Sequence, residues 1–573
     1  MEAEFQQHSK EVITKIVGSN YGNTSQENEK KSYPRAMIDF LAGNREKAIT
    51  FLQSEDADAS SHAHTLGIDF YSGFTLTGQV RKYFYFGKYL DSAYRQRMKK
   101  AMQIFTQVDP LTRRFPNRSQ FWAKDNCDTW VDCRNTDNLR AMREVAVYLF
   151  AEETGNEATK QIYKERLTRN VRTLYQIGQG EWDSENYLEY AVTTYADLYD
   201  FAKDPQVKSL GLAALDWFFT SGSLKYWRGG FGGPSKRDYS GGNCVWCSLA
   251  THELGLYFGD SPVSDPQPSP NSVHLITSSY RPPLAAIALA RKQFVKPVEL
   301  LNSKPTYENW KPGGDASPQF YETLYFGKTF QLGTLAQGSG GDWNGFKMMA
   351  FNQQRGVDYL IAATGTDPTQ ISTSSNGNDN IAQYRNLTIW LNDQPKTPFQ
   401  FFLPKSANLE TKGGVTFIRY EKTWLAIAPI HLKIEGINAT ATEKIRERYP
   451  NDQILTAVGT ESLICGFALE VGEQETHGDF EQFKHSVLSR SHLNLDGVRD
   501  GVIEYQGVVG KVKLQYQHQG LPKVWRNGSF HNWRNHYSVY QNAQGGKVPI
   551  YQGWKQGKLE VKAGGYQFSS QPR

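Results

Sequence analysis

The chain has 573 residues, more than one ordinary domain holds, so we expect two large domains. Its 64 basic and 59 acidic residues give a net charge of +5 with no block of Lys and Arg, a balance that predicts no nucleic-acid partner. No stretch approaches the roughly 20 apolar residues that span a bilayer. The sequence therefore predicts no membrane partner, and its weakly basic charge permits an acidic substrate.

The cysteines do not indicate a disulfide framework, because their number, five, is low and odd. Cys244-Val-Trp-Cys247 has the spacing of a redox or metal motif, and Cys127 and Cys133 could complete a four-thiolate zinc site. Free, half-buried thiols are the simpler interpretation, because no strand of the thioredoxin type precedes the motif. We expect no metal and no cofactor.

The N-terminal residues 1–5 contain no basic segment followed by an apolar run, so no signal peptide is visible. The function inferred below would place the protein outside the cytoplasm, secreted or periplasmic, with its signal already removed.

The first 300 residues repeat one pattern, apolar side chains at the spacing of a helix face. Glycine or proline marks several of the ends. The predicted helices cover residues 89–105, 139–150, 163–174, 188–199, 207–218, 244–257 and 283–294. Helices of similar length in succession predict an incomplete (α/α) toroid over residues 1–300.

The pattern changes after Lys304, where glycine-rich segments and alternating apolar residues replace the helical spacing. Strand-like runs cover residues 387–391, 415–420, 424–430, 463–471, 502–505 and 512–516, and residues 548–561 alternate like a hairpin. We therefore predict an antiparallel β-sandwich over residues 301–573, without helices among its later strands. The overall class is α+β and multidomain.

One stretch, from Trp182 to Tyr190, has an unusual number of polar and aromatic side chains. Ser184 is of the type that caps a helix N-terminus, so we expect a helix to open there. Asp183, Glu185, Asn186 and Tyr187 would then lie at the mouth of the helix, where its dipole favours anions.

Three further polar groups precede predicted helices or follow a glycine-rich loop. They are Asn135 and Asn138 with Arg134; Lys236, Arg237 and Tyr239 with Asp238; and Tyr280-Arg281. If the helical pairs wind in order, these segments converge on one rim.

Such a set could perform β-elimination on a uronic-acid polymer. Arg and Lys can hold a sugar carboxylate, Arg by a bidentate fork. An Asn amide can bind the same carboxylate and stabilise the enolate that forms when the neighbouring carbon loses its proton. Tyrosine side chains can take that proton and deliver one to the leaving oxygen.

The order of elements and these residues resemble the polysaccharide lyases that join an (α/α) toroid to antiparallel β-sheets, among them alginate, chondroitin and heparinase II/III-like enzymes. In several of those families an Asn-His pair begins a toroid helix, and a catalytic Tyr follows some fifty residues later. Asn186-Tyr187 is similar to that pair with Tyr in place of His, and Tyr239 lies 239 − 187 = 52 positions after Tyr187.

The resemblance implies a division of roles among the polar residues. Asn186, Tyr187 and Tyr239 would be catalytic, with His274 as a further candidate. Segments 321–333 and 352–355 look like strands whose loops reach the cleft of such enzymes. The residues implied to bind substrate are Asn135, Asn138, Trp182, Glu185, Lys236, Arg237, Arg281, Tyr325 and Arg355.

The sequence thus predicts a lyase whose partner is an acidic polysaccharide or oligosaccharide, and names neither the polymer nor the oligomeric state. One alternative is a glycoside hydrolase on an (α/α) barrel, using Asp183 with Glu185 or with Asp128. Another is a catalytically inactive carbohydrate-binding protein.

Overall fold

The structure is a computed structural model. It describes all residues except 22–28, 55, 57–63, 71–73, 108–136, 237–244, 246–247, 264, 266, 306–316, 339–342, 370–375, 462–463, 536–537 and 573. The first 290 residues are mainly helical. The helices are α1 Glu2–Ile16, α2 Glu29–Leu41, α3 Arg45–Leu52, α4 Phe74–Phe84, α5 Ser92–Gln107, α6 Asp137–Thr154, α7 Glu157–Ile177, α8 Leu188–Phe201, α9 Pro205–Lys225, α10 Leu249–Phe258, α11 Val273–Ile276 and α12 Leu284–Ala290.

The helices differ in how much of their surface they bury. Helices α4, α6 and α8 are buried on almost all sides and lie next to one another, whereas α5 and α7 bury one face. A helix polar on one side lies at the surface, because only its apolar face gains from leaving water. Helix α1 packs against α10, and its Glu4 pairs with Arg291, which follows α12, at 3.1 Å, so the two ends of the helical region meet. A closed ring of helices requires such a contact between its ends, but the toroid itself stays a prediction.

Strands dominate from residue 298 onward, after five short ones in the helical region. The short strands are β1 His64–Thr65, β2 Ile68–Asp69, β3 Tyr226–Trp227, β4 Gly230–Phe231 and β5 Ser235–Lys236. The others are β6 Val298–Lys304, β7 Phe320–Phe326, β8 Phe330–Leu335, β9 Trp343–Asn344, β10 Phe346–Asn352, β11 Gly356–Thr364, β12 Asp379–Tyr384, β13 Leu387–Asn392, β14 Phe399–Pro404, β15 Asn408–Lys412, β16 Val415–Arg419, β17 Thr423–Ile430, β18 Leu432–Ile437, β19 Asp452–Gly459, β20 Cys465–Glu473, β21 His492–Asn494, β22 Val502–Gln506, β23 Lys511–Gln515, β24 Lys523–Arg526, β25 Ser529–His531, β26 Ser538–Tyr540, β27 Ile550–Gly553, β28 Leu559–Ala563 and β29 Tyr566–Ser570.

These strands form antiparallel sheets that stack. An eight-stranded sheet has the order β18-β19-β14-β11-β10-β8-β7-β6, and a six-stranded sheet has the order β12-β13-β20-β17-β16-β15. Apolar side chains from both fill the space between them, among them Phe346, Leu360 and Phe467. A five-stranded sheet, β21 to β25, covers the other face of the six-stranded sheet through residues such as Ile503 and Leu514. The predicted change from helices to antiparallel sheets is confirmed.

One part of the prediction is wrong, because helices do occur among the later strands. They are α13 Ala439–Ile445, α14 Gln474–His477 and α15 Phe480–Arg490. Helix α15 has an Asp479 cap and packs Phe483 against Trp424, so it covers part of one face of the six-stranded sheet. In the part of the chain that the structure describes, no helix is long and apolar enough to cross a membrane.

Candidate functional site

The stretch singled out in the sequence forms a turn that leads into helix α8. Helix α8 begins at Leu188, four residues after the predicted cap at Ser184. The Ser184 hydroxyl does accept an amide, from Tyr187 at 3.0 Å, but inside the turn. Asp183 has a left-handed backbone with φ 51°, a conformation that non-glycine residues rarely adopt. The turn 182–187 therefore needs strong contacts to hold it in place.

Buried lysines supply the first of these contacts. The Asp183 carboxylate lies 2.8 Å from the ammonium of Lys304 on β6 and 3.6 Å from that of Lys225 at the end of α9. Both lysines also approach Glu322 on β7, and all four side chains are almost wholly buried. Burial alone would raise the pKa of Asp183, but the two lysines outweigh it and lower that pKa.

Glu185 makes the second contact with the sheet. Its carboxylate pairs with Lys347 on β10 and accepts a hydrogen bond from the Ser235 hydroxyl at 3.2 Å. Its backbone carbonyl accepts the amide of Ala250 in the first turn of α10 at 3.0 Å. One residue thus joins the turn, the large sheet and the next helix.

Aromatic side chains close the same region. The ring of Trp182 meets that of Trp343 edge-on at 5.5 Å between centroids, and Phe320 lies 4.3 Å from Trp343. The ammonium of Lys236 lies 4.1 Å from the centre of the Trp343 ring. Strand β5 pairs with β9 through Lys236 and Trp343, so the helical region contacts a strand of the β region here.

Four of the buried polar atoms that have no hydrogen-bond partner in the described part of the chain lie around this turn. They are Oδ1 of Asn138, Nε1 of Trp182, Oδ1 of Asn186 and Nδ2 of Asn344. Asn138, Trp182 and Asn186 are 2%, 1% and 7% exposed. A buried polar group left unpaired costs about 1–3 kcal/mol, so several together call for a polar ligand.

An acidic pair lies beside these groups. Asp137 accepts the backbone amide of Glu181 at 3.0 Å, and the Glu181 carboxylate accepts the backbone amide of Asn138 at 3.2 Å. Burial raises the pKa of Asp137 to about 6, against the opposing effect of the Glu181 amide, Arg140 and Lys236. The turn 182–187 and the start of α6 therefore belong to one site.

His274 and Arg281 have other contacts. His274 lies on the short helix α11. There it is buried, 3.3 Å from Asp197, which also pairs with Arg81 at 2.7 Å. The guanidinium of Arg281 forks onto Glu2 of α1 at 2.7 and 2.9 Å. These contacts hold helices together, and we do not include either residue in the reaction proposed below.

Tyr325 lies on strand β7, and Arg355 lies in the turn between β10 and β11. The side chain of Tyr325 points into the core between the two large sheets, 5.6 Å from the ring of Phe330. Arg355 follows β10 and binds Asp358 and the Ser406 hydroxyl, the latter at 2.7 Å.

Other predicted positions lie outside the described residues. They are Asn135, Arg237 and Tyr239, together with Asp128 and the cysteines Cys127, Cys133, Cys244 and Cys247. The remaining cysteine, Cys465, is buried with a free thiol whose pKa burial raises to about 11. The described residues contain no group of three or more His, Cys, Asp or Glu side chains placed to hold a metal ion.

The sequence analysis missed the lysines and the glutamate that hold the turn. Glu322 and Lys347 lie in strands with apolar neighbours such as Leu324 and Met348, and Lys304 ends a strand that contains Leu300 and Leu301. A charged residue inside such a strand is rarely buried without a partner. That pattern could have identified the three as members of a buried site.

Comparisons with known proteins give only remote similarity. No family model matches the chain, and no curated protein matches its sequence. Among solved structures it is similar to a heparinase III, with 9% identity, a TM-score of 0.35, and coverage of 92% of this chain and 89% of that one. The same enzyme with methylated lysines gives 10% identity, a TM-score of 0.35, and coverage of 99% and 90%.

A β-arabinofuranosidase of glycoside hydrolase family 127 is also similar, with 9% identity, a TM-score of 0.23, and coverage of 82% of this chain and 92% of that one. Likeness this low carries no argument about function.

Proposed function

We propose that the chain is a lyase that cleaves an acidic, uronic-acid-containing polysaccharide by β-elimination. The observation that carries the proposal is Asn186. Its side chain is nearly buried, makes no hydrogen bond within the described residues, and lies in the turn that leads into helix α8. A buried amide without partners costs free energy, and a sugar supplies both kinds of partner: a hydroxyl that donates to the amide oxygen, and a carboxylate that accepts from the amide N–H groups near a helix N-terminus.

The reaction follows from binding the carboxylate. The amide N–H of Asn186 donates to the carboxylate and spreads the charge that develops when C5 of the uronate loses its proton. A tyrosine side chain, Tyr239 or Tyr187, takes that proton. The electron pair of the C5–H bond forms a C4–C5 double bond as the C4–O bond breaks. The leaving oxygen receives a proton from a tyrosine hydroxyl.

Trp182 and Lys236 would support binding. The Trp182 indole N–H has no acceptor among the described residues and can donate to a sugar hydroxyl. The positive charge of Lys236 lies next to Asp137 and Trp343 and favours an anionic ligand. The side chain of Asn138, whose oxygen has no partner among the described residues, supplies a second amide.

A panel of alginate, hyaluronan and heparin tests the proposal. β-Elimination produces a C4–C5 double bond, so we expect near-ultraviolet absorbance to rise together with new chain ends on at least one polymer. New reducing ends without that absorbance would contradict β-elimination. Binding without any cleavage would favour the inactive carbohydrate-binding protein.

Glycoside hydrolysis is the second candidate, and one observation favours it. Asp137 has a pKa of about 6 and lies beside Glu181, so one carboxyl could be protonated while the other is charged. The pair considered from the sequence, Asp183 with Glu185, is less suitable because each carboxylate already pairs with a buried lysine. New reducing ends without ultraviolet absorbance would support this candidate.

A further inference from the structure

The five-stranded sheet has a solvent-facing side that the proposed reaction does not use. Its inner side is filled by Ile503, Tyr505, Val512, Leu514 and Val524. The strand register places Asn494, Glu504, Lys513, Trp525 and Phe530 opposite one another in one row across the other side. We call this side the outer face.

Two aromatic rings at one end of the row are not needed for the core. Phe530 is 56% exposed, and its ring meets that of Trp525 at 5.4 Å. The ammonium of Lys513 lies 5.1 Å from the centre of the Trp525 ring. Aromatic rings with a polar surround suit ligands that present both C–H groups and polar groups, as sugar rings do.

The charge of the outer face is positive. Lys511, Lys513 and Lys523 lie on this side of the sheet, against one carboxylate, Glu504, which pairs with Lys511 at 2.7 Å. Lys513 and Lys523 thus remain to attract an anion. The row spans four gaps between strands of about 4.8 Å each, so an extended chain matches it better than a single sugar.

We propose that the outer face is a second binding site, away from the turn 182–187, for the same acidic polysaccharide that the lyase cleaves. This inference rests on the proposed function for the class of ligand. Trp525 and Phe530 stack against sugar rings, while Lys513 and Lys523 pair with carboxylates. Binding there would hold a long polymer near the enzyme.

Affinity electrophoresis of the full chain with alginate, with uncharged dextran as comparison, tests the proposal. The Asn186→Ala background slows cleavage of the polymer during the measurement. Trp525→Ala combined with Phe530→Ala is expected to weaken alginate binding about tenfold or more, because exposed aromatic anchors contribute strongly to binding. The matched control is Tyr566→Ala, which removes another exposed ring on β29; it should bind alginate as the parent does.

Lys513→Met should weaken alginate binding and reduce its dependence on salt. Salt screens the attraction between the lysine and the anionic polymer, and the substitution removes that attraction. The unfolding midpoint of each variant shows that the fold is intact. Unchanged alginate binding by the double aromatic variant would overturn the proposal, as would equal affinity of the parent for dextran. The proposal would also be overturned if the parent were a dimer, the double variant a monomer, and alginate binding the same in both, because the outer face would then be a contact between two copies of the chain. Failure of the proposed function has a different readout, the absence of near-ultraviolet absorbance from the wild-type chain.

Discussion

Asn186 is the residue on which the proposed chemistry depends most. Because its side chain makes no hydrogen bond among the described residues, Asn186→Ala removes no internal partner and should change the unfolding midpoint little. Turnover should fall about a hundredfold or more, since losing one donor to a developing anion costs roughly 3 kcal/mol. Initial rates by near-ultraviolet absorbance measure this directly.

The matched control is Asn378→Ala. Asn378 is also buried, and its side-chain oxygen also lacks a partner, but it lies in the turn before β12. Its loss should leave turnover unchanged. An Asn186→Ala protein with wild-type turnover would remove Asn186 from the mechanism.

Asp216 provides a test of stability that does not depend on the function. Burial on helix α9 raises its pKa to about 7, although the Tyr280 hydroxyl donates to it at 3.1 Å and opposes the shift. The unfolded carboxyl ionises near pH 4, so between pH 4 and 7 the folded state holds the extra proton. The contribution of Asp216 to stability is therefore most favourable below pH 4 and is lost as pH rises to 7.

The size of this loss is bounded by the shift of about three pKa units, or about 4 kcal/mol. Asp216→Asn should remove it, so the variant should melt higher than wild type at pH 8 and close to wild type at pH 4. Calorimetry at both pH values measures the difference. Asp496→Asn, at an exposed aspartate, serves as control, and an equal gain in that variant would contradict the explanation.

At the residue scale, the sequence predicted that several polar side chains lie together better than it predicted their partners. Asn138, Trp182, Glu185, Asn186 and Lys236 do lie around one turn, because helix N-termini concentrate polar residues. The sequence also predicted roles for His274 and for Arg281, which precedes a predicted helix, and those roles stay predictions. Their carboxylate partners, Asp197 and Glu2, are 77 and 279 residues away, and no local pattern reveals such pairs.

At the scale of elements, the turn 182–187 depends on lysines from the large sheet. Lys347→Met on β10 leaves Glu185 charged and buried without its cation, which should cost about 3–5 kcal/mol of the free energy of unfolding. Thermal and urea unfolding measure the loss. Lys433→Met, at an exposed position on β18 of the same sheet, should cost less than about 0.5 kcal/mol.

A compensating change separates loss of charge from loss of packing. Glu185→Gln combined with Lys347→Met removes both charges and keeps an acceptor for the Ser235 hydroxyl. The double variant should recover most of the lost stability. If it remains as unstable as Lys347→Met, the ion pair is not what holds the turn.

Helices with an apolar face were predictable because their spacing is a local property, and α6, α7 and α9 contain the predicted segments. The start of α8 was not predictable. Ser184 has the chemistry of a helix cap, but the turn is fixed by Lys304 and Lys347, which are far away in sequence. Helix α15 has a capping box and an apolar face that the expectation of a purely β region obscured.

At the scale of the whole molecule, the order of a helical region and an antiparallel region follows from composition and periodicity. The division at residue 300 stays a prediction, and contacts across it are extensive. The last four strands, β26 to β29, form a sheet whose Tyr540, Ile550, Leu559 and Val561 belong to the same core as the helices. Sequence periodicity cannot show this, because it does not say which core a strand joins.

The helical region should therefore not fold alone. In the full chain, Trp217 on α9 donates to Gln552 at 2.9 Å, Tyr175 on α7 contacts Ser570 at 2.7 Å, and Asp183 pairs with Lys304. A fragment of residues 1–297 would expose the apolar surface that β26 to β29 cover and would leave Asp183 without Lys304. We expect it to bind a hydrophobic dye and to melt without a cooperative transition, whereas co-expression with residues 298–573 restores the transition. A fragment that melts cooperatively by itself, with no dye binding, would show that the helices form an independent domain and that the shared core is dispensable.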